Sequence, residues 1–198
     1  TAGLREMLQP NYPEMEIRRI ETIGPKVGDE LKTSALQAIL IALGLVLIYI
    51  TFRFQWRQGI AAIITLLHDV MVVVGIFSIF DKEFTLPVIA ALLTVVGYSL
   101  NDTIVIFDRI RENISKFRKR ELLPLINQSV TETLSRTLLT SGTTLMVVLA
   151  LVFLGGEIIH DFAFALLVGV LIGTYSSIYV ASPTVLWLTK IAPPKTSD

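Results

Sequence analysis

One apolar stretch constrains this chain more than any other, because it carries an acidic residue where a membrane helix usually has only apolar side chains. Residues Leu86–Phe107 are long enough, at about 1.5 Å per residue, to cross a bilayer as one helix. Tyr98, Asn101 and Asp102 lie inside this stretch. An aspartate near the centre of such a helix costs about 2.5–3.5 kcal/mol on insertion scales, so it normally faces protein or water and marks an ion or proton path.

The polar residues of this stretch share one side of the predicted helix, at about 100° per residue. This polar stripe comprises Thr94, Gly97, Tyr98, Asn101, Asp102, Val105, Asp108 and Arg109. Valine, leucine and isoleucine occupy the opposite side. We therefore expect the polar stripe to form the buried seam of a helix bundle that contains a titratable group.

The composition places the whole chain in a membrane. Of its 198 residues, 53% are hydrophobic and 17% are charged, and the mean hydropathy is +0.66, which is far too apolar for an ordinary soluble domain. The formal net charge of 0 provides no basic field for nucleic acid, and without cysteine there is neither a disulfide nor a thiolate metal site. Five apolar segments are long enough to span a bilayer. They are Leu36–Phe54, Ile60–Phe80, Leu86–Phe107, Thr137–Leu154 and Phe162–Leu188.

These segments predict an all-α membrane protein, in which five transmembrane helices follow the tail of a small α+β extracytoplasmic domain. Residues 1–34 form that tail, which includes the strand-like run Met15–Ile23. Residues 35–190 form the bundle, with a cytoplasmic loop at 108–136, and residues 191–198 form a cytoplasmic tail. The chain begins with a polar stretch and has no signal-peptide pattern, so we expect it to be a fragment of a longer protein.

The loops predict the orientation of the bundle. Arg53–Gln58 contains two arginines, and the loop 108–136 is strongly basic. By contrast, Asp81–Glu83 contains one lysine, and Gly155–Asp161 contains neither lysine nor arginine. Because basic loops stay in the cytoplasm, the N-terminal segment is predicted to lie outside and the C-terminus inside.

The basic loop has helical signals of its own. Arg109–Glu121 is expected to continue the third span as a basic helix that Pro124 then breaks. Ser129–Glu132 has the pattern of a capping box, which marks the first turn of a helix. We therefore expect a new helix to begin there and to carry Arg136 into the fourth span.

The fourth span presents a possible partner for Asp102. Arg136, Thr140, Thr143 and Thr144 share one face at positions i, i+4, i+7 and i+8. If this face meets the polar stripe, Asp102 gains an opposite charge and several hydroxyl donors. A carboxylate that burial and an arginine influence in opposite directions can exchange protons near neutral pH, as a proton relay requires. The alternative is a static ion pair that holds the helices together.

His68 and Asp69 place two further polar groups near the middle of the second span. Neighbouring residues point about 100° apart, so one can face the bundle interior and the other an adjacent subunit. Neither has a second histidine or carboxylate at metal-site spacing on that helix. A relay role and a structural hydrogen-bonding role both remain open. The predicted proton relay comprises Asp102, Arg136, Asn101, Asp69 and His68.

Small residues predict close helix packing. Gly169, Gly173, Ser177 and Ala181 recur every four residues in the fifth span, a spacing typical of helix contacts in membranes. The predicted packing residues are Gly97, Gly142, Gly169, Gly173 and Ser177. The sequence has no nucleotide-binding glycine loop, nucleophile triad or metal signature. We therefore predict a protein that is not an enzyme and has no cofactor, with protons as its coupling ion.

Longer motifs occupy Val96–Asn113, Ser135–Thr144 and Gly173–Ser182. They closely resemble the SecF family, the smaller subunits of the bacterial SecDF protein-export complex. His68–Val70 and Ile23–Gly28 match the same family at the expected places. The SecD family is similar in its membrane half, but the Asn-Asp-Thr sequence before the Asp-Arg-Ile-Arg box favours SecF.

This resemblance implies a six-helix unit of the resistance-nodulation-division superfamily, related by pseudo-symmetry to a unit in SecD, in the bacterial plasma (inner) membrane. The chain is expected to lack the first helix of that unit and most of its outer domain. The implied function is to use the proton gradient, with SecD, to promote late steps of preprotein translocation through SecYEG. In that family, the residues that match Asp102 and Arg136 are implicated in proton passage. Implied partners are SecD, separate or fused, SecYEG with SecA, YajC, YidC, unfolded preprotein and the lipid bilayer, without nucleic acid.

Two other classes of function stay open. One is a scaffold that transports nothing and holds SecD and the channel together. The other is a small-molecule/proton antiporter of the same superfamily, which the export-type motifs argue against. In a scaffold, replacement of Asp102 would impair assembly rather than proton flux, so the two functions differ in a measurable way.

Overall fold

A computed structural model describes residues 25–53, 56–117 and 121–191, and these residues form helices without any strand. The helices are α1 Pro25–Arg53, α2 Trp56–Ile79, α3 Leu86–Lys116, α4 Leu122–Leu154, α5 Glu157–Ser176 and α6 Ser182–Ile191. A π-helical turn, Ser177–Ala181, joins α5 directly to α6. The predicted strand-like run Met15–Ile23 lies outside the described residues, as do nearly all residues of the predicted tail 191–198.

Among the described residues, four helical stretches are long and apolar enough to cross a bilayer. They are Trp56–Ile79, Leu86–Lys116, Leu122–Leu154 and Glu157–Ile191, the last of which includes the π turn. The all-α membrane fold is therefore confirmed. In α1 the apolar stretch is Leu40–Ile50, which is shorter than the roughly 20 residues of a full crossing. The first of the five predicted spans, at Leu36–Phe54, stays a prediction.

The polar connection between α3 and α4 is mostly helical. α3 continues past the apolar span to Lys116, and α4 begins at Leu122. Pro124 therefore lies in the first turn of α4, where its missing N–H interrupts no intrahelical bond. The predicted capping box was wrong, because Ser129 lies inside α4 and its hydroxyl donates to the Leu125 carbonyl at 2.8 Å.

Two glycines make the tight turn between α4 and α5. Gly156 has a φ of +74°, which residues with a side chain rarely adopt. Its neighbour Gly155 has no room for a Cβ beside the backbone of α4. Lys82, in the turn between α2 and α3, donates to Asp161 Oδ1 at 2.5 Å near the start of α5. The two turns at this end of the bundle are thus joined by an ion pair.

The bundle formed by α2–α6 lies within one compact unit, Ile39–Asp198, which is distinct from the unit Thr1–Ala38. α5 contacts α2, α3 and α4. Two apolar clusters fill the interior, one with Leu66, Ile106 and Ala181 among its members and the other with Val73 and Ala165. Along α2, and along α5 with its π turn, buried polar residues lie between the two apolar clusters. These polar residues form part of the candidate site.

Candidate functional site

Two carboxylates are buried within the bundle. Asp69 on α2 is 1% exposed, and Asp102 on α3 is 3% exposed. Removing an ionised carboxylate from water is costly unless hydrogen bonds or an opposite charge compensate it. The partners of each carboxylate therefore determine what it can do.

Asp69 has hydrogen-bond partners from three helices. Its Oδ2 accepts from Ser99 Oγ on α3 at 2.5 Å and from Ser176 Oγ on α5 at 2.8 Å. Its Oδ1 lies 3.0 Å from Nδ1 of His68, the preceding residue. Asp69 faces the interior, whereas the His68 side chain is 33% exposed at the edge of the bundle. Asp69 is thus the point at which α2, α3 and α5 are hydrogen-bonded to one another.

Asp102 is held much more loosely. Its Oδ2 accepts a long hydrogen bond, 3.4 Å, from Ser141 Oγ on α4. While Ser141 donates to Asp102, Thr174 on α5 donates to Ser141 at 2.7 Å, in place of the Val170 carbonyl that also lies 2.7 Å from the Thr174 hydroxyl. Three other buried hydroxyls find no hydrogen-bond partner within the described part of the chain, and they belong to Tyr98, Thr103 and Thr137. The surroundings of Asp102 therefore contain polar groups whose hydrogen bonding is incomplete.

The predicted hydroxyl face of α4 differs from the observed one. Thr140, Thr143 and Thr144 donate to carbonyls of α4 itself, at 2.8, 2.9 and 2.9 Å. The buried polar residues of α4 instead recur every four residues and end at Ser141. They are Ser129, Thr133, Thr137 and Ser141. The sequence contained this period-four pattern, which is the signal that could have identified Ser141.

Arg136 lies one residue away from that buried row and is exposed. Its charge acts on Asp102, but among residues 25–53, 56–117 and 121–191 no ion pair joins the two side chains. The face predicted to bring them into contact is rotated by about one residue, or roughly 100°. Arg136 is therefore a neighbouring charge and not a direct hydrogen-bond partner of Asp102.

The polar stripe of α3 is not the buried seam that the sequence predicted. Thr94, Gly97 and Asn101 are exposed, whereas Asp102 is buried. Apolar side chains such as Val95 take the interior positions, because burying apolar surface is the main favourable term in packing. The stripe therefore lies at the surface of this chain, and Asp102 is its inward edge.

The predicted packing residues divide into two groups. A Cβ on Gly169 would collide with Val95, and a Cβ on Gly173 would lie 3.0 Å from the Cβ of Ser99, so both glycines bring α5 close to α3. The fully buried Ser177 donates to the Thr174 carbonyl at 3.0 Å. A Cβ added to Gly97 or Gly142 would meet no atom within 4 Å among the described residues. The packing role of these two glycines stays a prediction for a surface outside this chain.

A charged cluster joins α3 and α4 beyond their apolar spans. Arg109 donates to Glu112 at 2.7 Å and to Glu132 at 2.6 Å, and Asn113 donates to Glu132 at 2.9 Å. The hydrogen bonds from Asn113 and Gln128, with that from Arg109, lower the pKa of Glu132 to about 2. Glu132 is therefore ionised throughout the physiological pH range. This cluster joins the ends of α3 and α4, and its Glu132 does not titrate within the physiological pH range.

The geometry defines a class of protein: a multi-pass helical membrane protein with two carboxylates in its interior. The family model described as protein export membrane protein SecD/SecF, C-terminal, matches residues 4–191. The chain belongs to this family, and the resemblance found in its motifs is confirmed.

Relatives and solved structures agree with this assignment. The protein translocase subunit SecF of Desulfurispirillum indicum is 56% identical over 183 residues, which cover 90% of this chain and 58% of the relative. The protein translocase subunit SecDF of Thermus thermophilus is 53% identical over 203 residues, covering 94% of this chain and 28% of that protein. The crystal structure of the Thermus SecDF has a TM-score of 0.86 at 47% identity, covering 96% of this chain and 27% of that chain. This chain thus spans a little over half the length of the SecF relative.

Proposed function

We propose that this chain is the membrane part of a SecF-type subunit that, with a SecD-type partner, uses the proton gradient to promote late steps of preprotein translocation. The observation that carries the proposal is the buried and loosely bonded Asp102, in a chain whose relatives are named protein translocase subunits. In this proposal the subunit is not an enzyme, needs no cofactor and is coupled to protons.

Asp102 suits a proton-carrying role because its charged form is buried with few compensating partners. It is buried, which disfavours the charge, and a single long hydrogen bond from Ser141 and the nearby charge of Arg136 compensate that charge only in part. Gain or loss of a proton would then change the interaction of α3 with α4. A difference of this kind biases two packings of a bundle, as a conformational cycle requires.

The polar stripe on the surface of α3 supports a partner in the membrane. Thr94, Gly97 and Asn101 are exposed in the middle of an apolar span. The Thr94 hydroxyl donates to the Ala90 carbonyl at 2.9 Å, but contact with lipid would leave the Asn101 amide unsatisfied. Gly97 would also let another helix approach closely. We assign the part of this surface formed by Thr94, Gly97 and Asn101 to a SecD-type unit, whether fused or separate. Asn101 and Asp102 would then lie next to that unit. SecYEG with SecA, YajC, YidC and unfolded preprotein remain proposed partners of the complete complex.

The charged ends of the helices support the proposed orientation. Arg109 and its cluster lie at one end of the bundle, and Arg53 binds Asp108 at 2.7 Å at the same end of α3. Basic residues favour the cytoplasmic side. We propose that this end faces the cytoplasm of a bacterial plasma membrane, with the N-terminal segment on the opposite side.

A scaffold is the second candidate, and the dense bonding of Asp69 favours it. Buried polar groups with complete hydrogen bonding stabilise one helix arrangement and need not move. In a scaffold, neither aspartate exchanges protons during translocation, and the buried network serves assembly alone.

The test is proton flux through proteoliposomes that contain the complete complex and an unfolded preprotein. Asp102→Asn is compared with Asp108→Asn, which makes the same substitution on the same helix. Asp108 lies in a partly exposed ion pair with Arg53, and such a pair contributes little to stability. We expect Asp102→Asn to abolish coupled flux in an assembled complex and Asp108→Asn to preserve it. Unchanged flux in Asp102→Asn would refute the proton role, and loss of assembly would favour the scaffold.

A further inference from the structure

α5 carries a hydroxyl toward each of the two buried aspartates. Ser176 donates to Asp69 at 2.8 Å, whereas Thr174 shares a hydrogen bond of 2.7 Å with Ser141, which donates to Asp102. Residues two apart on a helix point about 200° from each other, so these hydroxyls leave opposite sides of α5. α5 therefore lies between the two carboxylates and is hydrogen-bonded to the surroundings of both.

The Asp69 side of α5 is fixed by close packing. Ser99, which also donates to Asp69, lies directly against Gly173. One turn earlier, Gly169 lies so close to Val95 that there is no room for a Cβ. Small residues of this kind let helix backbones approach one another. Rotation of α5 about its axis would therefore break the hydrogen bond from Ser176 to Asp69.

The helix geometry changes immediately after Ser176. Ser177–Ala181 form the π turn, and Ser182 Oγ donates to the Ser177 carbonyl at 3.3 Å, across five residues. π turns within α-helices occur frequently at functional sites. This one separates the segment that carries Thr174 and Ser176 from α6, so the orientation of that segment depends mainly on its own contacts with α2, α3 and α4.

We propose that Asp69 is a positioning residue for Asp102 and not a proton carrier. Asp69 and Ser176 fix the rotation of α5, α5 holds Thr174 against Ser141, and Ser141 provides the hydrogen bond that Asp102 receives. Asp69 keeps its hydroxyl partners while Asp102 gains and loses its proton. This inference rests on the proposed function, in which Asp102 is the proton-carrying group.

The chain offers a matched pair of variants for the test. Ser176 and Ser177 are neighbours and both fully buried, but Ser177 donates only within its own helix, to the Thr174 carbonyl. In the complete reconstituted complex, we expect Ser176→Ala to lower proton flux about tenfold, the effect of roughly one lost buried hydrogen bond. Ser177→Ala is expected to stay within about twofold of the wild type, because the hydroxyl it removes donates to the Thr174 carbonyl of the same helical stretch and not to another helix.

A spectroscopic readout separates positioning from a general structural role. The infrared absorption of the Asp102 carboxyl is identified by its loss in Asp102→Asn. We expect it to shift in Ser176→Ala, because the hydrogen bond from Ser141 changes, and to stay unchanged in Ser177→Ala. Thr174→Val removes the other end of the connection and should reproduce the shift, so the test remains decisive if Ser176→Ala does not assemble. An unmoved absorption and normal flux in these variants would overturn the inference.

The conservative variant Asp69→Asn separates positioning from proton carrying. The amide oxygen can still accept from Ser99 and Ser176, and the amide N–H can donate to His68, so we expect flux within about threefold of the wild type. Lost flux in an assembled Asp69→Asn complex would make Asp69 a proton carrier and overturn the inference. Unchanged flux in Asp102→Asn would instead refute the proposed function, so the two failures are distinguishable.

Discussion

Asp69 and Asp102 are buried to nearly the same extent but differ in how they are held. Asp69 accepts two hydrogen bonds of 2.5 and 2.8 Å from two other helices and lies beside His68. Asp102 accepts one bond of 3.4 Å, and three buried hydroxyls on α3 and α4 have no partner in the described ranges. Burial alone therefore does not distinguish a structural carboxylate from a functional one. The number and length of the hydrogen bonds are the more informative observation.

The largest expected effect comes from removing the acceptor at Asp69. Asp69→Leu has a similar shape but leaves the hydroxyls of Ser99 and Ser176 without an acceptor, at a cost of about 1–3 kcal/mol each. Asp102→Leu removes only the long bond from Ser141, so we expect a loss of about 1 kcal/mol or less. Thermal unfolding of the assembled complex in detergent measures both. Equal destabilisation by the two variants would remove the contrast between the carboxylates.

A smaller effect is expected from the helix contact that places α5. Gly169→Ala forces a methyl group into Val95, and overpacking of this kind costs about 1–3 kcal/mol. The control is Gly142→Ala, where the described residues leave open space, so the gain in helix propensity is up to about 1 kcal/mol. Thermal unfolding of the same complex compares them. Destabilisation by Gly142→Ala would instead show that a partner helix packs there.

The smallest effect is expected in the charged cluster outside the apolar spans. The pKa of Glu132 is about 2 in the folded chain and 4.5 ordinarily, because Asn113, Gln128 and Arg109 favour its charged form. A lowered pKa contributes stability above about pH 4.5, and this contribution is lost as the pH falls through about 2.

Chemical unfolding of the wild type and Glu132→Gln across that range provides the measurement. The difference in unfolding free energy should be constant above pH 4.5 and should shrink toward pH 2. Its magnitude should be small, because the side chains are exposed and screened by solvent. A difference in unfolding free energy that varied near neutral pH would contradict the lowered pKa of Glu132. Glu132 would then be, like Asp102 in the proposed function, a group that gains and loses a proton near that pH.

The sequence predicted the four helical stretches that can cross a membrane, because that depends only on length and apolar composition, whereas the span at Leu36–Phe54 stays a prediction. It also identified Asp69 and Asp102, since a carboxylate in an apolar helix is conspicuous in any chain. It placed Arg136 and the neighbouring threonines on the wrong face by about one residue. A rotation of 100° moves a side chain from one neighbouring helix to another, and the period of α4 does not fix its rotation within the bundle.

The donors to the two aspartates could not be predicted for the same reason. Ser99 and Ser176 are separated by 77 positions, obtained as 176 − 99, and they meet at Asp69 only because α5 packs closely on α3. Gly169 and Gly173 were recognised as packing residues, but their partner helix is a property of the tertiary arrangement. The polar stripe was misassigned because an exposed polar surface and a buried seam have the same period.

The π turn at Ser177–Ala181 changes the directions in which side chains point along the last membrane-spanning stretch. A π turn accommodates one additional residue, so residues after it are offset by about 100° from an uninterrupted α-helix. With this offset, Val185 meets the apolar cluster and Trp187 faces outward. Deleting one residue within the turn would restore a regular helix without changing its composition. It would nevertheless present the wrong side of α6 to the bundle, so the length of this turn is itself part of the information that specifies the fold.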